Sequence, residues 1–137
     1  HFPLPFHKEA QVLAQAVECA RDQDKFWQLQ ELFYENISNT VDEKEIMKMV
    51  KLAGVKDIPA FNQCLSSGKY AQRVQNDIRE GAELGIQGTP TFILGVYDSE
   101  SKTVSGKMFS GAVPEEKFVG VIEKILTSIR TEAKLNR

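Results

Sequence analysis

Two cysteines, two histidines and one Thr-Pro step hold most of the chemistry open to this chain. Cys19 and Cys64 are too few for a disulfide scaffold. They are spaced wrongly for a zinc site, and His1 and His7 both lie at the start of the chain, so no metal is expected. Both cysteines fall on or beside apolar helical stripes. Three readings stand at this point: buried thiols acting as small hydrophobes, a structural disulfide, or a redox pair. The redox pair is the weakest, because neither cysteine opens a helix, where a thiolate would be stabilised. His7 reads as a cap or a surface residue. Acidic residues fall at helix starts and on solvated faces, with no carboxylate pair suited to acid–base work. Phe26, Trp27, Phe33 and Tyr34 recur at helical spacing and read as core rather than as a peptide groove.

Gly88-Thr89-Pro90-Thr91-Phe92-Ile93-Leu94 is the second chemical candidate. Pro90 has no N–H to give a sheet ladder, so it belongs at the first residue or the edge of a strand. Locally, two readings remain: an ordinary trans strand start, or a cis Thr89–Pro90 bond in a tight loop that exposes backbone.

The elements that must position these residues are mostly helical. His1-Phe2-Pro3-Leu4-Pro5-Phe6 reads as the exit of a strand. A helix is expected from His7 to about Asp22, with a stripe of Val12, Ala16, Cys19 and Ala20. Asp24 is the expected N-cap of a second helix from Lys25 to about Asn36. A polar break follows over Asn36–Thr40. Asp42 with Glu45 forms a capping-box pattern for a third helix, ended by Gly54. Asp57-Ile58-Pro59 opens a fourth through Phe61, Cys64 and Leu65. Lys69 to about Leu84 reads as a fifth, weakened at Gly81 and stopped by Gly85. The pattern then changes. Thr91–Tyr97 and Thr103–Ser110 read as an antiparallel hairpin. Pro114-Glu115-Glu116 starts a last amphipathic helix through Phe118, Val121, Ile122, Ile125, Leu126 and Ile129, with a frayed tail over 131–137.

Composition narrows the function. The net charge of −2 leaves no basic field for nucleic acid. No apolar run is long enough to span a bilayer as a helix. The 137 residues suit one domain.

Several segments together resemble the DsbA-like thiol-disulfide oxidoreductases, a branch of the thioredoxin fold with a helical insertion. They are Phe2-Pro3-Leu4-Pro5-Phe6-His7, Cys19-Ala20 to Lys25-Phe26-Trp27, Ala60–Leu65 with Gly68-Lys69-Tyr70, Gly85–Phe92, and Gly111–Phe118. The resemblance implies an α/β thioredoxin-like fold that is mostly helical here: residues 1–6 end a strand, 7–85 form a five-helix insertion, and 86–130 carry the cis-proline loop, hairpin and last helix. It implies a substrate platform at Gly88, Thr89 and Pro90, and a structural disulfide between Cys19 and Cys64 in an extracytoplasmic compartment such as the periplasm. It implies protein substrates bearing cysteines, a membrane redox partner for the whole protein, and no cofactor. The family's Cys-x-x-Cys is absent, so no catalytic residue is expected in this chain, and the chain alone is expected to be inactive. The start at His1-Phe2-Pro3 suggests that a redox half has been removed. A lone hairpin is marginal in water, so the chain is expected to belong to a longer polypeptide or to form a homo-oligomer or element-swapped dimer. Two alternatives remain: a non-catalytic thioredoxin-like binding module, or a relative of the kappa-class glutathione transferases.

Overall fold

The computed structural model describes residues 1–36 and 42–135; of the expected polar break over Asn36–Thr40, Asn36 still belongs to a helix and the rest lies outside the described residues. The chain divides into two compact units, His1–Ile86 and Gln87–Arg137.

The first unit is helical. Its elements are α1 (Ala10–Arg21), α2 (Phe26–Asn36), α3 (Glu43–Leu52), α4 (Ile58–Ser66) and α5 (Ala71–Glu83). The apolar stripes read from the sequence meet in one core. Ala16, Val17, Cys19 and Ala20 of α1 pack with Leu29 and Phe33 of α2, Ile46, Met49 and Val50 of α3, and Phe61 and Cys64 of α4. The local signals explain most of the helix ends. Asp42 accepts from the Glu45 N–H at 2.8 Å, and the Glu45 carboxylate accepts from the Asp42 N–H at 3.3 Å, completing the capping box. Asp57 caps α4 through the Ala60 N–H at 2.9 Å.

Several boundaries differ from the sequence expectations. Residues 1–6 form no strand. A strand needs a neighbour to pair with, and Pro3 and Pro5 lack the N–H to do so. Here the segment is held instead by Phe2, whose ring lies so close to Gly81 that a Cβ there would fall 2.5 Å from it. Gly81 is therefore a close-packing position of α5, not merely a weak point. α1 begins at Ala10, because His7 first closes a turn onto the Leu4 carbonyl. Asp24 does not cap α2. Its φ is +58°, and it ends α1 in the left-handed conformation, with Lys25 N–H donating to the Ala20 carbonyl and Asp24 N–H to the Arg21 carbonyl. α5 starts at Ala71 because Gly68 turns at φ +64° and Lys69 N–H closes onto the Cys64 carbonyl.

The second unit is a hairpin and a helix. β1 (Thr91–Asp98) pairs antiparallel with β2 (Thr103–Ser110), in a register that sets Phe92 opposite Phe109 and Gly95 opposite Gly106. The Asp98 carboxylate accepts the Glu100 and Ser101 N–H groups in the connecting turn, which holds its pKa below the ordinary value. α6 (Glu115–Leu135) packs on one sheet face through Phe118, whose ring stands 4.8 Å from Phe92 and 5.2 Å from Phe109. Ile93, Met108, Tyr97 and Val104 share the opposite face and stay exposed. The helix runs on to Leu135 where a frayed tail was expected, since Ala, Lys and Leu are good helix formers. Among the described residues, no helix is long and apolar enough to cross a membrane.

Candidate functional site

The Gly88–Thr91 loop enters β1 under tight control. Thr91 does the anchoring: its hydroxyl donates to the Gly88 carbonyl at 2.7 Å and lies 2.8 Å from the Ser110 hydroxyl on β2. The Gly111 N–H donates to the Pro90 carbonyl at 2.8 Å. The loop is thus tied to both strands of the hairpin. The Thr89–Pro90 peptide bond is cis. Thr89 and Pro90 are exposed and Gly88 is half-buried. Among the described residues, the Thr89 N–H and C=O make no hydrogen bond. Beside them, among the described residues, β1 has a partner on one edge only. The arrangement offers an unpaired peptide group, in line with a free strand edge, to an extended chain.

Cys19 and Cys64 are joined by a disulfide between α1 and α4, with their Cα atoms 5.9 Å apart. Neither sulfur is free, so this chain offers no thiol nucleophile. Cys19 is 1% and Cys64 8% exposed, inside the apolar core. The α1–α2 turn grips α4 on both sides of the bridge. At its start, the Gln23 amide oxygen accepts from Lys56 N–H and Asp57 N–H at 3.1 and 2.9 Å, and its nitrogen donates to the Asp57 carbonyl at 2.9 Å. At its end, Lys69 Nζ and the Tyr70 hydroxyl donate to the Asp22 carboxylate at 2.8 and 2.6 Å.

The hydrogen bond from Lys69, followed by that from Tyr70, holds the Asp22 carboxyl below its ordinary 3.8. A carboxylate with a depressed folded-state pKa stabilises the fold fully above its unfolded value, and loses that contribution as pH falls through the folded value. Lys69 and Tyr70 are raised by the same contacts, so their share persists at neutral pH and fades on the alkaline side. An Asp22→Asn variant is therefore expected to lose less stability than the parent between about pH 5 and pH 2, read as the shift of the urea midpoint. Parallel curves for the two proteins would remove Asp22 from the acid response.

Sequence reasoning missed a buried charge cluster and misplaced two aromatics. Glu18, expected on a solvated face, is 1% exposed. Its Oε1 lies 2.7 Å from His1 Nε2, 3.0 Å from Arg21 Nη2 and 3.4 Å from Arg73 Nε. Its Oε2 is buried, with no partner among the described residues. Arg21 at i+3 was a local hint, but Arg73 and His1 arrive only through folding. Trp27 and Tyr34, read as core, are 71% and 83% exposed, while Phe33 on the same helix is buried. Seven residues apart, Trp27 and Tyr34 share the outer face of α2. His7 is exposed, its ring tilted against that of Phe6 at 4.6 Å between centroids. Among the described residues, no group of three His, Cys, Asp or Glu could hold a metal ion.

Comparison with known proteins agrees with this architecture at the level of family. The chain is 31% identical over 96 residues to the Na(+)/H(+) antiporter NhaA 1 of Salinispora arenicola (strain CNS-205), which is 69% of this chain but 14% of that protein. It is 26% identical over 95 residues to the Na(+)/H(+) antiporter NhaA 3 of Salinispora tropica, covering 69% and 14%. The chain thus spans only a small part of these relatives, and their antiporter names say nothing of its chemistry. No solved structure matches it. The profile of the family described as thioredoxin matches residues 1–124, through all five helices of the first unit, the proline loop, the hairpin and the first half of α6, and the chain belongs to that family.

Proposed function

We propose that this chain is the helical and substrate-holding portion of a DsbA-like thiol-disulfide oxidoreductase that forms, reduces or isomerises protein disulfides. The observation that carries the reading is the exposed Thr89–Pro90 step, anchored through Thr91, with the Thr89 N–H and C=O unpaired among the described residues beside a free strand edge. Gly88, Thr89 and Pro90 form the platform for an extended, cysteine-bearing segment, and the Thr89 N–H and C=O supply main-chain hydrogen bonds to it, which tolerates many sequences. The reacting thiolate is supplied by a Cys-x-x-Cys outside this chain, where a helix N-terminus lowers its pKa. Cys19–Cys64 is structural. Its presence fits an oxidising, extracytoplasmic compartment. The whole protein exchanges electrons with a membrane redox partner, and the exposed sheet face is covered by further chain, either of the same polypeptide or of a second copy.

A second reading, a non-catalytic thioredoxin-like binding module, is favoured by one observation: both cysteines are consumed in one buried bridge.

Titrating the chain with an unfolded cysteine-containing peptide tests the platform. Amide shifts are expected at Gly88, Thr89 and Thr91, and Pro90→Ala is expected to weaken binding about tenfold. Shifts confined to other residues would refute it. The chain alone is expected to show no turnover of an insulin disulfide, and measurable turnover would overturn the assignment of the thiolate to an outside segment.

A further inference from the structure

We infer that the Cys19–Cys64 bridge is a redox latch that records the conditions under which the helical unit folded, rather than those it later meets. The proposal stands apart from the reading of the Thr89–Pro90 loop, because it concerns only the first unit.

The chemistry of reduction is demanding here. A dithiol must bring a thiolate in line with one sulfur. Cys64 is the more open of the two, yet only 8% exposed, and Cys19 is 1% exposed. In the balanced step, a reagent thiolate attacks Cys64 Sγ, the S–S bond breaks, and Cys19 leaves as a thiolate that must take a proton. The second reagent thiolate then displaces Cys64. The bridge gains two electrons, and the reagent leaves as its own disulfide. The first displacement expels a thiolate within the apolar core that Cys19 shares with Ala16, Ala20, Leu29 and Phe33. An apolar setting disfavours that charged leaving group. Access and leaving group therefore both oppose attack on the closed structure.

The surroundings make the barrier cooperative. Gln23 clasps the start of α4 and Asp22 clasps the turn after its end, both from the α1–α2 turn. Lifting α4 to expose Cys64 breaks these polar contacts and pulls Phe61, which is fully buried, out of the core. Opening thus approaches unfolding of the unit. The reduced chain meets the opposite situation. Without the bridge, its unfolded ensemble gains the freedom of a loop spanning a separation of 45 residues, so the same reductant that cannot open the folded unit keeps the unfolded one from closing. The two histories lead to different states in one buffer.

The test exposes the oxidised chain to dithiothreitol at increasing denaturant, quenches with an alkylating reagent, and counts labelled thiols by mass spectrometry. Reduction without denaturant is expected to be at least about a thousandfold slower than in full denaturant, rising along the unfolding transition. A second arm reduces the chain while unfolded, then dilutes it with the dithiol present. Its folding equilibrium, from the helical circular dichroism, is expected to fall by about a hundred- to a thousandfold. Native-buffer reduction within about tenfold of the denatured rate, or a rate that ignores denaturant, overturns the shielding. An unchanged unfolding midpoint for the reduced chain overturns the latch.

Discussion

Gly106→Ala is expected to destroy the hairpin, while Gly120→Ala in the same unit is expected to strengthen its helix. At Gly106 an added Cβ would fall on the Leu94 carbonyl oxygen, and at the opposing Gly95 on the Ser105 carbonyl oxygen. The obstacles are backbone atoms of the partner strand, which cannot rotate away as a side chain would. Relief requires the strands to part, which costs about 3 kcal/mol or more. The loss reaches the proline loop, because Ser110, which ends β2, and Gly111 just after it hold Thr91 and Pro90 and follow Gly106 in the chain. Gly120 meets no atom within 4 Å, so alanine there adds only helix propensity, about 1 kcal/mol. Hydrogen exchange at the β1 and β2 amides separates the two. Protection that survives Gly106→Ala would show that the strands tolerate a side chain at this crossing.

The second large effect belongs to the bridge. Replacing Cys19 and Cys64 together by alanine releases a loop set by a sequence separation of 45 residues. Chain-entropy arithmetic puts the loss near 4 kcal/mol, a large share of the stability of a small unit. Both alanines are smaller than the sulfurs they replace, and core packing adds to the cost. The urea midpoint of the variant is expected to drop accordingly, with little change in slope. A drop of under about 1 kcal/mol would mean that the unfolded chain already holds α1 and α4 together.

Element order and caps were legible because they are local. Asp42 with Glu45, Asp57 with Pro59, and the change from helical to alternating spacing after Gly88 each act over a few residues. Asp24 misled because an acid after a helix and before another suits two roles; only the backbone turn chose the left-handed end of α1 over the start of α2. Trp27 and Tyr34 misled for a different reason. A helical stripe says that one face is apolar, and in α2 the aromatics wrap beyond the buried face. Glu18 was invisible, because a charged residue reads as solvated until Arg73, from a distant helix, and His1 arrive beside it.

By itself, the sequence determined that this chain is a run of helices followed by a hairpin and a helix, that a Thr-Pro step opens the sheet, and that it contains no Cys-x-x-Cys. Periodicity, caps and the fixed chemistry of proline suffice for that. Only the tertiary structure decided that Thr91 ties the loop to both strands, that Cys19 reaches Cys64, and that Glu18 gathers its cations. Those outcomes depend on which residues far apart in the chain come within bonding distance, and local spacing carries no such information.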